Sequence, residues 1–120
     1  MFCSKLPSKS LWNICIAIFI LALISSFTWA ETENGKAVEI AKRGACLGCH
    51  AIDKKIVGPS FQSVAEKYKG NPKAAVFLAS KVRNGGAGSW GVVPMPANTS
   101  ISDSELALVI AWVLRGTPTP

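Results

Sequence analysis

Five consecutive residues, Cys46-Leu47-Gly48-Cys49-His50, put two thiols and an imidazole within about one turn of chain. Thiols three positions apart lie on one side of such a turn. Both can then add to the two vinyl groups of a single porphyrin, the pattern of covalent haem attachment. The histidine that follows directly can turn a ring nitrogen to the iron as its proximal ligand. Gly48 is expected to keep the turn slim where it lies against the macrocycle.

Other chemistries fit the same residues less well. A structural zinc site wants four Cys or His ligands, usually as two separated pairs. His50 is the sole histidine, and the remaining cysteines, Cys3 and Cys15, fall in an N-terminal leader, so no second half-site exists. A thioredoxin-like redox pair would want a βαβ context, and no segment reads as an alternating strand. A local disulfide stays open from the residues alone, but it leaves His50 without a purpose.

Residues 1–30 read as a signal peptide. Lys5 and Lys9 form a positive n-region, Leu11 to Ile24 is almost wholly apolar, and Thr28-Trp29-Ala30 approximates a small-x-small cleavage site. Cleavage after Ala30 leaves a single domain, residues 31–120, in an oxidising compartment. The alternative is a retained membrane anchor, since Leu11 to Phe27 approaches the lower limit for a span. A lipid anchor at Cys15 does not fit, because Trp12, Asn13 and Ile14 are not small. The 13 Lys and Arg lose Lys5 and Lys9 with the leader, leaving 11 against 7 acidic residues and a formal charge of +4. There is no arginine-rich tract or aromatic-interleaved basic stripe, so nucleic acid is excluded as a partner. A domain of ninety residues buries little surface and gains from an internal staple, a role that a large apolar cofactor bonded to two cysteines would fill.

The elements that must position these groups are short helices. Asn34–Arg43 reads as a helix that delivers Cys46, with Gly44 just past its end. Ala51–Pro59 is a loop, and Ser60–Tyr68 a helical turn with Phe61, Val64 and Ala65 at helical spacing. Asn71-Pro72 reads as an N-cap followed by proline in the first turn. The helix it opens runs to Asn84-Gly85-Gly86. Residues 85–99 show no periodicity and form a long loop, which usually signals function. Ser102-Asp103-Ser104-Glu105 is a capping box. It opens the strongest helix, with Leu106, Val109, Ile110 and Val113 on one face. The tail, Thr117 to Pro120, is expected to fray.

Taken together, Cys46-Leu47-Gly48-Cys49-His50, Val57-Gly58-Pro59 and Trp90-Gly91-Val92-Val93-Pro94-Met95-Pro96 make the chain resemble the small bacterial class I cytochromes c, over nearly all of residues 31–120. The resemblance implies an all-α fold of four or five short helices around one covalent haem c, with the first and last helices crossing. It implies a monomeric periplasmic electron carrier between an upstream quinol-oxidising complex and a terminal oxidase or nitrite reductase. It also implies site residues. Cys46 and Cys49 bind the haem; His50 and Met95 ligate iron. The Pro59 carbonyl takes the other N–H of His50, an arrangement typical of ligating imidazoles. Trp90 donates its indole N–H to a propionate. Lys81 stands where a basic residue shares that task, although the family often has Arg there and lysine lacks its fork. Asn98 stands where an amide approaches the methionine sulfur. Met95 is also the only methionine besides Met1, held between Pro94 and Pro96 in an irregular loop. Its soft thioether would favour the ferrous state.

With both axial positions filled by protein, the iron offers no open site, and the chain carries no distal histidine or catalytic triad. An electron carrier that is not itself an enzyme is therefore the expected function. The alternatives are an open-site haem enzyme or gas sensor, which needs Met95 off the iron, and a membrane-anchored subunit of an oxidase, which needs the leader retained. Lysines 42, 54, 55, 67, 69, 73 and 81 can steer docking to an acidic partner where they ring an exposed haem edge.

Overall fold

A computed structural model describes residues 28–120. The expected n-region and apolar core of the leader lie outside these residues. Four α-helices are present among them: α1 (Thr28–Arg43), α2 (Phe61–Tyr68), α3 (Ala74–Asn84) and α4 (Asp103–Leu114), with a 3-10 turn at Cys46–Gly48. No strand is present among the described residues, and the architecture is the expected all-α one. None of these helices is long and apolar enough to cross a membrane.

The last helix organises the rest. α4 packs on α1, α2 and α3 alike, and its Leu106, Val109, Ile110, Trp112 and Val113 are all buried. Ala37 and Ala41 of α1 are small and almost fully buried, which lets the first and last helices approach closely where they meet. Trp112, 1% exposed, meets Phe61 of α2 edge-on at 5.6 Å between ring centroids, a geometry worth about 0.5–1.5 kcal/mol beyond the area buried.

Local signals set most of the helix ends. Ser60 caps α2, its hydroxyl accepting the Ser63 N–H at 3.0 Å. At α4 the capping box forms in full: Ser102 Oγ accepts from the Glu105 N–H, and Glu105 Oε2 accepts from the Ser102 N–H at 2.9 Å. Two boundaries differ from expectation. α1 starts six residues before Asn34, through a stretch with Ala30, Glu31 and Glu33, whose propensity and N-terminal acidity favour helix. The expected cleavage point thus falls inside α1. α3 begins at Ala74, not directly after Asn71. Asn71 instead closes a preceding turn, with Oδ1 accepting the Lys73 N–H and its carbonyl the Ala74 N–H.

The tail does not fray. Trp112 Nε1 donates to the Pro118 carbonyl at 3.0 Å and Asn34 Nδ2 to the Thr119 carbonyl at 3.3 Å, while Arg115 donates to Asn34 Oδ1. The buried indole and the buried Asn34 amide both require partners, and the C-terminal backbone supplies them.

Glu105 ties the cap to electrostatics. Hydrogen bonds from Ser102, backbone first, and then the Arg43 guanidinium hold its carboxyl below the usual carboxylate range. A depressed folded pKa stabilises above the unfolded value and is lost as pH falls through the folded one. Glu105→Gln should therefore lower stability at neutral pH and match the wild type once acid has protonated Glu105, as read by denaturant unfolding across that range. An equal deficit at both ends of the range would show that the charge contributes nothing.

Candidate haem site

The 3-10 turn that carries the cysteines leaves α1 through Ala45, a non-glycine residue in the left-handed region at φ 59°. The amides of Cys49 and His50 then both donate to the Cys46 carbonyl, at 3.2 and 3.0 Å. This compact turn directs Cys46, Cys49 and His50 into one cleft. Cys46 and Cys49 are not joined to each other as a disulfide. Burial, and secondarily the neighbouring Cys49, push the Cys46 thiol pKa up against a lowering backbone hydrogen bond.

His50 is held on three sides. Nδ1 lies 2.7 Å from the Pro59 carbonyl oxygen. A carbonyl only accepts, so Nδ1 carries the proton and Nε2 presents a free lone pair. Phe61 stacks on the imidazole at 5.3 Å with 17° between planes. A Cβ placed on Gly58 would stand 2.8 Å from Nδ1, so the third side admits only glycine. The loop between them is closed by the Gly58 N–H to the Cys49 carbonyl and the Phe61 N–H to the Ala51 carbonyl, at 2.8 and 2.9 Å. Gly48, by contrast, has no protein atom within 4 Å of where a Cβ would stand. The protein's own packing does not demand glycine there.

Met95 reaches the same cleft from the long loop. Its N–H donates to the Gly86 carbonyl at 3.0 Å and its carbonyl accepts from the Gly86 N–H at 2.9 Å. This two-bond clamp requires the chain to turn sharply after α3. Gly85 does so at φ 68°, where a Cβ would also stand 2.8 Å from the Ala97 nitrogen. Trp90 and Lys81 line the cleft as well. Lys67 of α2 lies over the Trp90 ring at 4.4 Å and donates to the Ser89 carbonyl at 2.5 Å, fastening the glycine-rich stretch to α2. Asn98 is placed elsewhere. It is not among the lining residues, and its amide nitrogen donates to the Gly44 carbonyl at 2.8 Å while Oδ1 accepts from Ser100.

The floor of the cleft is the inner face of α4, with Leu106, Val109, Ile110 and Val113, and Phe61, Val64, Leu78 and Val82 extend it. About 1110 Å³ of space within it holds no protein atom, part of it open to solvent. A large, flat, apolar macrocycle fits such a lining. The donor set fits as well: two thiols, one imidazole with a free nitrogen and one thioether suit a haem edge and its iron, and no cluster of three or more His, Cys, Asp or Glu able to hold a bare metal ion occurs among the described residues.

Three contributors are not evident from motif reading. Phe61 signals only as a helix-face apolar residue, yet it stacks on His50. Gly58 is visible in the Gly-Pro pair, but its close approach to the imidazole is not. Gly85-Gly86 reads as a helix stop, whereas its second task is to clamp Met95.

Gly58→Ala puts a methyl against the His50 ring and should cost about 1–3 kcal/mol, the range for overpacking. It should also lengthen or break the Nδ1–Pro59 hydrogen bond, seen as faster solvent exchange of the Nδ1 proton by NMR. A variant with wild-type stability and exchange would mean that the ring has room.

Residues 32–117 match the cytochrome c family. Cytochrome c-552 of Nitrosomonas europaea is 38% identical over 106 residues, covering 88% of this chain and 96% of that protein. Cytochrome c-551 of Azotobacter vinelandii is 47% identical over 82 residues, covering 68% and 96%. The crystal structure of wild-type Nitrosomonas europaea cytochrome c552 superposes with a TM-score of 0.63 at 37% identity, covering 66% of this chain and 98% of that one. The chain belongs to the cytochrome c family: it is a small class I mono-haem cytochrome, an electron-transfer protein that carries haem c covalently on Cys46 and Cys49.

Proposed function

We propose that this cytochrome is a periplasmic one-electron carrier, not an enzyme, whose iron is held by His50 and Met95. The observation that carries the reading is the convergence of both side chains, with both cysteines, on one apolar cleft. The bound haem supplies one electron of storage by cycling between ferric and ferrous iron. The chain's residues set the terms of that cycle. The Pro59 carbonyl fixes the His50 tautomer and makes the imidazole a stronger donor. Met95 adds a neutral, polarisable sulfur that favours the ferrous form, and the apolar lining keeps water away from the metal. His50 and Met95 would together hold the iron from the protein side, which would leave no place there for a substrate.

Export follows from the leader. Lys5, Lys9 and the apolar stretch from Leu11 to Ile24 support cleavage after Ala30, and the family match beginning at residue 32 agrees with a domain over residues 31–120. For partners we infer redox proteins of the electron-transport chain, a quinol-oxidising donor and a terminal oxidase or nitrite reductase as acceptor. Lys54, Lys55 and Lys73 are exposed and available to steer an acidic partner. Lys42 pairs with Glu39 on α1, and Lys69, just past the end of α2, pairs with Glu66 of that helix. Lys67 holds the loop at Ser89.

Intact mass spectrometry of the mature protein should find a chain that begins at Glu31 and carries one haem that acid-acetone does not extract. Extractable haem would sink the attachment, and a retained leader would favour an anchored subunit. Met95→Ala should lower the reduction potential, within the span of about 0.8 V that axial ligation covers, and admit carbon monoxide or imidazole. An unchanged potential would reduce Met95 to packing and favour the open-site reading.

A further inference from the structure

Met95 is fixed to the fold at two places, and the second leads to a residue outside the cleft. The first is the Gly86 clamp. The second lies three residues on, at Asn98, whose peptide is gripped from both sides by consecutive residues of α3. The Asn98 N–H donates to the Val82 carbonyl at 2.8 Å. Its carbonyl accepts from Arg83 Nη1 at 2.9 Å. The Asn98 amide donates to the Gly44 carbonyl, two residues before Cys46. Arg83 is therefore the outer end of a chain of hydrogen bonds that joins α3, the methionine loop and the start of the cysteine turn.

We propose that Arg83 is a positioning residue for Met95, holding the 95–98 segment closed by its charged hydrogen bond to the Asn98 carbonyl. The proposal rests on the ligation of iron by Met95 argued above. Two observations separate this role from that of an ordinary surface cation. Nε and Nη2 of Arg83 also reach Asp103 Oδ1, at 3.0 and 2.7 Å, but the Asp103 side chain is 95% exposed, and an ion pair to so exposed a partner contributes little. The Arg83 side chain is only 23% exposed, so its bond to the carbonyl is partly shielded from water and charge-assisted. The guanidinium fork also matters, since Nη1 serves Asn98 while Nε and Nη2 serve Asp103, which a single ammonium cannot reproduce.

The consequence is a gate on the sixth coordination position. An outside ligand binds only when the segment has opened, so its apparent affinity scales with the open fraction. Optical titration of the ferric holoprotein with imidazole reads that fraction, and amide exchange at Asn98 and Met95 reads the opening directly. Arg83→Gln should bind imidazole about tenfold tighter, equivalent to about 1.4 kcal/mol, with faster exchange at both amides. Arg83→Lys should fall between it and the wild type, which keeps the test usable if the glutamine variant does not fold. Asp103→Asn should stay within about twofold of wild type, because it removes only the exposed pair. An unchanged imidazole affinity in both Arg83 variants would overturn the proposal, as would an Asp103→Asn effect equal to that of Arg83→Gln. The methionine methyl resonance of the reduced wild type separates the two claims. If it is not shifted upfield by the haem ring current, the ligation reading falls and the proposal with it. If it is shifted and the Arg83 variants bind imidazole normally, the positioning role alone falls.

Discussion

The inner face of α4 must serve as protein core and as cleft floor at once. Leu106, Val109, Ile110 and Val113 belong to the buried cluster shared by α1, α2 and α4, against which Leu78, Ala79 and Val82 of α3 pack, and they also line the cleft. A domain of this size has too few residues to build a separate core and a separate binding site. The cofactor side of the molecule is therefore the core's other half, and apolar area buried against the macrocycle contributes to folding as well as to binding. This explains why the helices are short, why α4 carries the strongest cap, and why small residues such as Ala37 and Ala41 stand where α1 meets it.

The two walls of the cleft are built by different means, and the difference suits their tasks. The cysteine wall is set by local geometry: a 3-10 turn directly after α1, a loop closed on the Cys49 and Ala51 carbonyls, and an imidazole fixed by Pro59, Phe61 and Gly58. Its two supports from distant parts of the chain are Trp112, which braces the Phe61 ring, and Asn98, whose amide donates to the Gly44 carbonyl just before the turn. The methionine wall has no helix of its own. It is held by the Gly86 clamp, by Lys67 reaching across from α2, and by the bonds that α3 and Gly44 make to Asn98. A wall of this kind can open without unfolding the helices, since the bonds that close it are few and near the surface.

Much of this was legible in the residues. The pentapeptide at 46–50 carries its chemistry in its spacing, and the capping box at Ser102 to Glu105 is a local signal that the structure reproduces atom for atom. Helical periodicity located α2, α3 and α4 because each has one apolar face. The rest depended on contacts distant in sequence. Phe61 looks like any core residue until His50 is folded onto it, and Gly58 is an ordinary loop glycine until the imidazole arrives. The tail from Thr117 to Pro120 has no periodicity, so only the buried needs of Trp112 and Asn34 reveal why it is ordered. Asn98 shows the converse. Its position follows the family pattern, but its amide is engaged with Gly44, a partner 54 positions away.

The central claim is that this fold brings one imidazole and one thioether to the two faces of a single haem iron. X-ray absorption at the iron edge of the ferrous holoprotein counts those atoms directly. The account predicts a first shell of five nitrogens and one sulfur, with the sulfur absent in Met95→Ala. A shell of light atoms only, or a sulfur that persists in that variant, would contradict it.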